Sequence, residues 1–255
     1  MQKLGKNVDR YRGETIDIAA VLAEILPLAR EQGWNIHSLS TDNGLAIPAL
    51  RRTVPGPRAC LYLSAGIHGD EPAGPLAVRQ LFRENRWPDG VEICLCPCLN
   101  PSGFGLNRRE NADGLDLNRQ YLHLQAAETR AHVVWLEQQP RFDVAMCLHE
   151  DWESLGFYLY ELRLGSNPSH AEEIIRQVEV VCPIDLSNEI EGRPAVGGIV
   201  RPSLDPRSRP QWPEALWLIS YKTQHTYTLE APSDFPMETR VAAVVTAVRV
   251  VLGAL

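Results

Sequence analysis

Two hydrophobic periods alternate along the 255 residues. Between Thr15 and Gln32, Ile16, Ala19, Ala20, Leu22, Ile25 and Leu26 fall near the 3.6-residue spacing of an amphipathic helix. Pro27 is expected to kink or shorten that helix, because it lacks the N–H a helix interior uses. Asn35–Ser40 and Leu45–Arg51 read as a strand pair, closed by the turn-like VPGPR. Cys60–Ala65 reads as a buried strand. Pro72 stands where a helix can begin without the missing N–H, Pro75 lies in the same first turn, and the helix should run to about Asn85. Val91–Cys98 is a predicted strand, followed by a long polar loop from Asn100 to Tyr121. Gln125–Gln138 reads as a helix, Phe142–Leu148 and Phe157–Leu162 as strands, and Ala171–Val181 as a helix. The stretch from Pro183 to Pro213 is rich in Pro, Gly and Arg and is expected to be one extended loop. Glu214–Tyr221 should form a short helix, His225–Glu230 a strand and Met237–Leu255 the closing helix. This alternation predicts a single α/β domain over residues 1–255, with helices on both faces of a parallel or mixed sheet.

Composition narrows the partners. Apolar residues make up 44% and charged residues 22%, an ordinary globular balance that argues against disorder and coiled coil. The formal net charge is −7 and no basic stripe is visible, so nucleic acid is not an expected partner. Met1–Arg10 is polar and lacks the apolar core of a signal peptide. The longest apolar stretch, Val241–Leu255, carries Arg249 and is shorter than the ~20 residues of a membrane span. No membrane segment is therefore expected. Cys94, Cys96 and Cys98 alternate in VEICLCPC, which would put three small buried thiols on one strand face. The C-x-C-x-C spacing is not that of a zinc knuckle. Thiols without an export signal point to the cytoplasm.

Four groups can carry chemistry. His68-Gly69-Asp70-Glu71 follows a buried strand directly, and ligands collect at the carboxyl ends of strands in open α/β sheets. Imidazole and carboxylate three residues apart across such a turn can meet at one point, although H-x-x-E alone also fits a surface turn. His149 ends a second apolar strand, FDVAMCL, so two strand ends deliver a His to one sheet edge. His68, Glu71 and His149 make a two-His, one-Glu set of the kind that leaves a catalytic zinc one open position. The loop after the third strand holds Asn100-Pro101-Ser102-Gly103 and then Arg109 to Arg119; guanidinium forks there could hold a carboxylate or an oxyanion, or could be solvated. Glu230 follows the strand His225–Leu229 and matters only if it joins the same cleft.

Together these residues resemble the zinc carboxypeptidase family (funnelins), in its compact bacterial form, and its relatives, the succinylglutamate desuccinylase/aspartoacylase enzymes. AGIHGDEPAG, NPSG, RENADGLDLNR, LHED and YTLEAPS occur in family order across residues 65–233. The resemblance implies an α/β/α sandwich around a mixed, mostly parallel eight-stranded sheet and one zinc ion held by His68, Glu71 and His149. It further implies that Arg109 holds the oxyanion, that Asn118 and Arg119 clamp a substrate carboxylate, and that Glu230 is general base and then general acid to a zinc-activated water. The implied activity is hydrolysis of a peptide or amide bond next to a free carboxylate, as in metallocarboxypeptidases and murein-peptide amidases. The implied substrate is a small peptide or an acylated amino acid, and N-acyl-amino-acid deacylation is the alternative. Three departures stand out. Ser187–Pro213 contains no tyrosine, so the family's mobile tyrosine has no counterpart there. Arg108 competes with Arg109, and Glu150 and Asp151 extend the second histidine without an assigned role. Arg193, Arg201, Arg207 and Arg209 lie in the same loop and could favour an acidic substrate, or could be solvated. A non-catalytic binding module would be expected to lack a ligand or the glutamate, and no G-x-S-x-G elbow supports a serine hydrolase.

Overall fold

The computed structural model describes all residues other than 1–2, 42–43, 167 and 203–209. Its strands are β1 (Asn35–Ser40), β2 (Ala46–Arg52), β3 (Ala59–Ala65), β4 (Val91–Cys96), β5 (Val144–Asp151), β6 (Tyr158–Arg163), β7 (Glu189–Ile190), β8 (Arg193–Val196), β9 (Ile199–Val200) and β10 (His225–Pro232). The helices are α1 (Ile18–Glu31), α2 (Ala73–Glu84), α3 (Pro101–Leu106), α4 (Ala127–Glu137), α5 (Ala171–Val178), α6 (Glu214–Tyr221) and α7 (Met237–Ala254).

The strands form one sheet in the order β1-β2-β4-β3-β5-β10-β6-β9-β8-β7. The central strands β4, β3, β5 and β10 are parallel. Antiparallel β2 and β1 extend one side, and β6 adds antiparallel to β10 on the other. Beyond β6, β9 pairs parallel and β8 and β7 antiparallel. The sheet is mixed, as expected, but has ten strands among the described residues rather than eight, and its parallel character is concentrated at the centre. Every residue of β3 is buried, which is why it reads as an unbroken apolar run. One face packs against α1, α2, α5 and α7 through residues such as Val21, Val78, Ile174 and Val244. The other packs against α4 and α6 through Val133, Trp135, Leu136 and Leu216.

Several expectations are corrected. Pro27 does not shorten α1, which runs on to Glu31 from an Asp17 side-chain cap on Ala20 N–H. Pro27 and Ala23 are both exposed, so the carbonyl that loses its helical donor faces water. The polar loop after β4 contains α3, capped by Asn100, and a 3-10 turn at Leu117–Arg119. The expected loop over 183–213 holds β7, β8 and β9. These are two to four residues long and are joined by tight turns at Glu191-Gly192 and Gly197-Gly198, all at positive φ, so no apolar period betrays them. The three thiols of VEICLCPC do not share a face. β4 ends at Cys96, leaving Cys94 and Cys96 in the α4/α6 layer and Cys98 in the other. No described helix is long and apolar enough to cross a membrane.

Candidate functional site

The site grows from the carboxyl ends of β3, β5 and β10. β5 and β10 continue past their apolar stretches, so His149 and Glu230 lie within strands and pair directly in register. Side chains alternate across a strand. His149 and Glu230 therefore project toward the α4/α6 side, with Cys147, Thr228 and Tyr160 forming the next row along the same face. From β3 the chain turns through Gly66 (φ 62°) to His68 and then enters α2, bringing Glu71 under the first turn of that helix.

Both imidazoles face the Glu71 carboxylate. His68 Nδ1 lies 2.5 Å from Oε1 and His149 Nδ1 2.9 Å from Oε2. All three residues are buried, and one ligand atom from each falls within 4.8 Å of the others. Burial raises the cost of the Glu71 charge, yet His68 and His149 outweigh it and hold the carboxyl far below its usual range. Burial drives His149 toward its neutral, ligand-competent form. Two imidazoles and a carboxylate converging on one point are a donor set that suits a borderline-soft divalent cation such as zinc.

Arg109 and Asp116 complete this wall. Asp116 lies 3.3 Å from His68 Nε2 through Oδ1 and accepts a 2.8 Å hydrogen bond from Arg109 Nε through Oδ2. Arg109 Nη1 stands 3.7 Å from Glu71 Oε1. Arg108 turns the other way and donates to the Asn111 and Ala112 carbonyls. Of the two arginines, it is Arg109 that lines the cleft. Sequence reasoning missed Asp116. It sits two residues before Asn118 in a loop that reads as solvated, and its partners lie 48 residues upstream (116 − 68) and seven upstream (116 − 109).

Asn118 and Arg119 also line the cleft. Asn118 is buried; its Oδ1 accepts from Glu214 N–H at 2.8 Å, which leaves its amide N–H groups as the free donors. Glu214 is itself buried and accepts from Tyr62 and Ser64 hydroxyls at 2.7 and 2.8 Å. Because Tyr62 donates to Glu214, it must accept from His132 Nε2–H at 2.8 Å, so His132 Nδ1 accepts from Tyr121 at 2.7 Å. Arg119 is exposed and donates only to its neighbour's carbonyl among the described residues.

Glu230 is half-buried. Desolvation pushes its carboxyl well above the usual range, and the negative charges of Glu71, Asp151 and Glu191 add to the effect. The two acids after His149 take separate structural parts. Glu150 accepts from Ala73 N–H at 2.5 Å, from Ser233 and from Arg240, tying β5 to α2, β10 and α7. Asp151 accepts from Tyr158 hydroxyl at 3.0 Å. Tyr11 and Tyr160 reach the cleft from outside the loop in which a tyrosine was sought. Arg193 lines the cleft, whereas Arg201 is committed to Glu161 and Glu172, each at 2.7 Å. Arg207 and Arg209 lie outside the described residues.

The cleft encloses about 460 Å³ and is lined by His68, Glu71, Arg109, Asn118, Arg119, His149 and Glu230. The turn that carries His68 is held by a backbone contact: a Cβ at Gly69 would run into the backbone of Gly103 and Phe104, so that turn and the helix before Arg109 touch with no side chain between them.

Fold and site together describe an α/β protein of carboxypeptidase-like fold with a His-Glu-His cluster that could hold a metal ion. Residues 57–192, just over half of the chain, match the succinylglutamate desuccinylase/aspartoacylase catalytic domain, and the chain belongs to that family. It is 33% identical over 111 residues to carboxypeptidase SOL1 of Arabidopsis thaliana, a match that spans 32% of this chain and 21% of that one. A candidate metallopeptidase of Shewanella denitrificans superposes with a TM-score of 0.82 at 20% identity, covering 97% of this chain and 98% of that one. A second, from Shewanella baltica, gives 0.81 at 22% identity over 93% and 92%. At these identities the two structures show a shared fold.

Proposed function

We propose that this protein is a zinc-dependent hydrolase that cleaves a peptide or amide bond beside a free carboxylate. The observation that carries the reading is the meeting of His68, Glu71 and His149 within 4.8 Å, with Glu230 in register beside His149. His68, Glu71 and His149 would hold one zinc ion. When bound, zinc supplies Lewis acidity and brings a water toward ionisation near neutral pH.

The remaining work falls to this chain. Asn118 and Arg119 bind the substrate's terminal carboxylate, and the Glu214 N–H bond fixes which face of the Asn118 amide meets it. Glu230 takes a proton from the attacking water at its carboxylate and returns it to the leaving nitrogen. Its raised pKa brings it closer to neutrality, where one group can serve both directions. Arg109, braced by Asp116, offers N–H donors to the charge that develops on the carbonyl oxygen. The substrate is a small peptide or an acylated amino acid, with neither nucleic acid nor membrane as partner, and the buried thiols fit a reducing cytoplasm. A second reading, N-acyl-amino-acid deacylation, draws support from the family match.

Zinc-loaded protein assayed on a panel of short peptides with free C-termini, beside N-acetyl and N-succinyl amino acids, tests both. Zinc-dependent release of an amino acid from one set is expected, and its abolition by a chelator. A zinc-loaded protein that cuts neither set overturns the reading.

A further inference from the structure

Glu214 is a buried carboxylate that the proposed reaction does not use. Among the described residues it meets no lysine or arginine; its two oxygens accept from the Tyr62 and Ser64 hydroxyls of β3 at 2.7 and 2.8 Å. A carboxylate at that depth without a cation costs stability. Its main chain has a different partner. Glu214 opens α6, whose Pro213 cap offers no side-chain bond, and its N–H goes to Asn118 Oδ1 at 2.8 Å. One residue therefore grips the sheet with its side chain and Asn118 with its backbone.

These bonds close into a circuit. Tyr121 lies three residues beyond Asn118 (121 − 118). Its hydroxyl donates to His132 Nδ1 on α4 at 2.7 Å, His132 Nε2–H donates to Tyr62 at 2.8 Å, and Tyr62 returns to Glu214. Burial pulls the His132 pKa down to about 3, so the imidazole stays neutral with one donor and one acceptor, and each bond has a single sense. Tyr121 N–H to the Trp212 carbonyl, at 3.2 Å, ties the same two segments a second time. Tyr62, Asn118, Tyr121, His132 and Glu214 are all buried, while Ala215 and Leu216 at the start of α6 face the cleft.

An asparagine amide that turns over presents oxygen instead of N–H to a carboxylate. A backbone N–H can only donate, so the Glu214 N–H holds the Asn118 oxygen and leaves the amide N–H groups for the cleft. We infer that Glu214 is a positioning residue for carboxylate binding: its side chain fixes the first turn of α6 on β3, and the α6 N–H thereby sets the Asn118 amide. The inference rests on the proposed placing of the substrate's terminal carboxylate at Asn118 and Arg119.

Binding to the metal-free full chain keeps this apart from the hydrolase reading. Titration calorimetry compares N-acetyl-L-alanine and N-acetyl-L-phenylalanine with their α-carboxamides. The acids should bind about 10- to 100-fold more tightly than the amides, and Glu214→Ala should reduce that ratio to about 1- to 3-fold. Glu214→Gln, of the same shape, should restore part of it. Glu161→Gln, at a buried carboxylate on the opposite sheet face, should leave it unchanged. In nitrogen-15 spectra the side-chain NH2 signals absent from Asn118→Ala should move with the acid in the native chain and stay still in Glu214→Ala. If Glu214→Ala does not fold, Tyr62→Phe combined with Ser64→Ala strips both hydroxyls from an intact Glu214 and should lower the ratio in the same way. A native ratio of one overturns the inference together with the placing at Asn118. A ratio lost in Asn118→Ala but kept in Glu214→Ala, or kept in the double variant, overturns Glu214 alone. A ratio that follows Glu214 in a zinc-loaded protein that hydrolyses nothing would sink the hydrolase and leave Glu214 in place.

Discussion

Asp116 touches an imidazole with one oxygen and a guanidinium with the other. Such a carboxylate fixes the ring's tautomer and raises its basicity as a ligand. Asp116→Ala is expected to weaken zinc binding by about 10- to 100-fold, read by competition with a chromophoric chelator. Unchanged affinity would mean that His68 is oriented by Glu71 alone. Glu230 separates metal from chemistry. Glu230→Gln should retain one zinc per chain by metal analysis while turnover falls by about 10²–10⁴-fold. Full turnover would remove Glu230 from the mechanism. His68, His149 and Glu230 were legible as residue types at strand ends, Glu71 as the carboxylate three residues after the first of them, and Arg109 as a guanidinium in a polar loop. Asp116 and Glu214 were not, because a carboxylate shows its role only through partners that the fold brings from elsewhere.

At the level of elements, burial was easier to read than extent. β3, α2, α6 and α7 match their patterns because each is either continuously apolar or amphipathic. β5 and β10 outrun theirs: the parallel pairing continues through Glu150, Asp151, Ala231 and Pro232, where polarity suggested the strands had ended. The polar residues stay in the strand because each has a partner. Glu150 shows this best, since its ion pair with Arg240 at 2.7 Å joins two fully buried side chains, and Arg240 also reaches Glu14. Removing one member of such a pair strands the other's charge. Arg240→Ala is expected to cost about 3–5 kcal/mol in urea unfolding. A loss under about 1 kcal/mol would mean that α7 is held by its apolar face alone.

Across the whole molecule, the parallel centre supplies the reactive ends and the antiparallel strands beyond β10 supply the opposite wall. The three ligands come from positions as far apart as 68 and 149, so an ion that binds them crosslinks β3, α2 and β5 in the folded state only. At a zinc concentration about 100 times its dissociation constant, the stabilisation is about 2.7 kcal/mol. That corresponds to a rise in melting temperature of roughly 5–10 °C for a chain of this size. Differential scanning fluorimetry with and without zinc should show the rise in the native protein and not in His68→Ala. The bare backbone contact between Gly69 and Gly103 sets a limit on how such a scaffold can diversify. Where two main chains abut there is no side chain to exchange, so descent with new substrates has to be written elsewhere, on the short hairpin at the far rim, while the reactive half passes on as a unit.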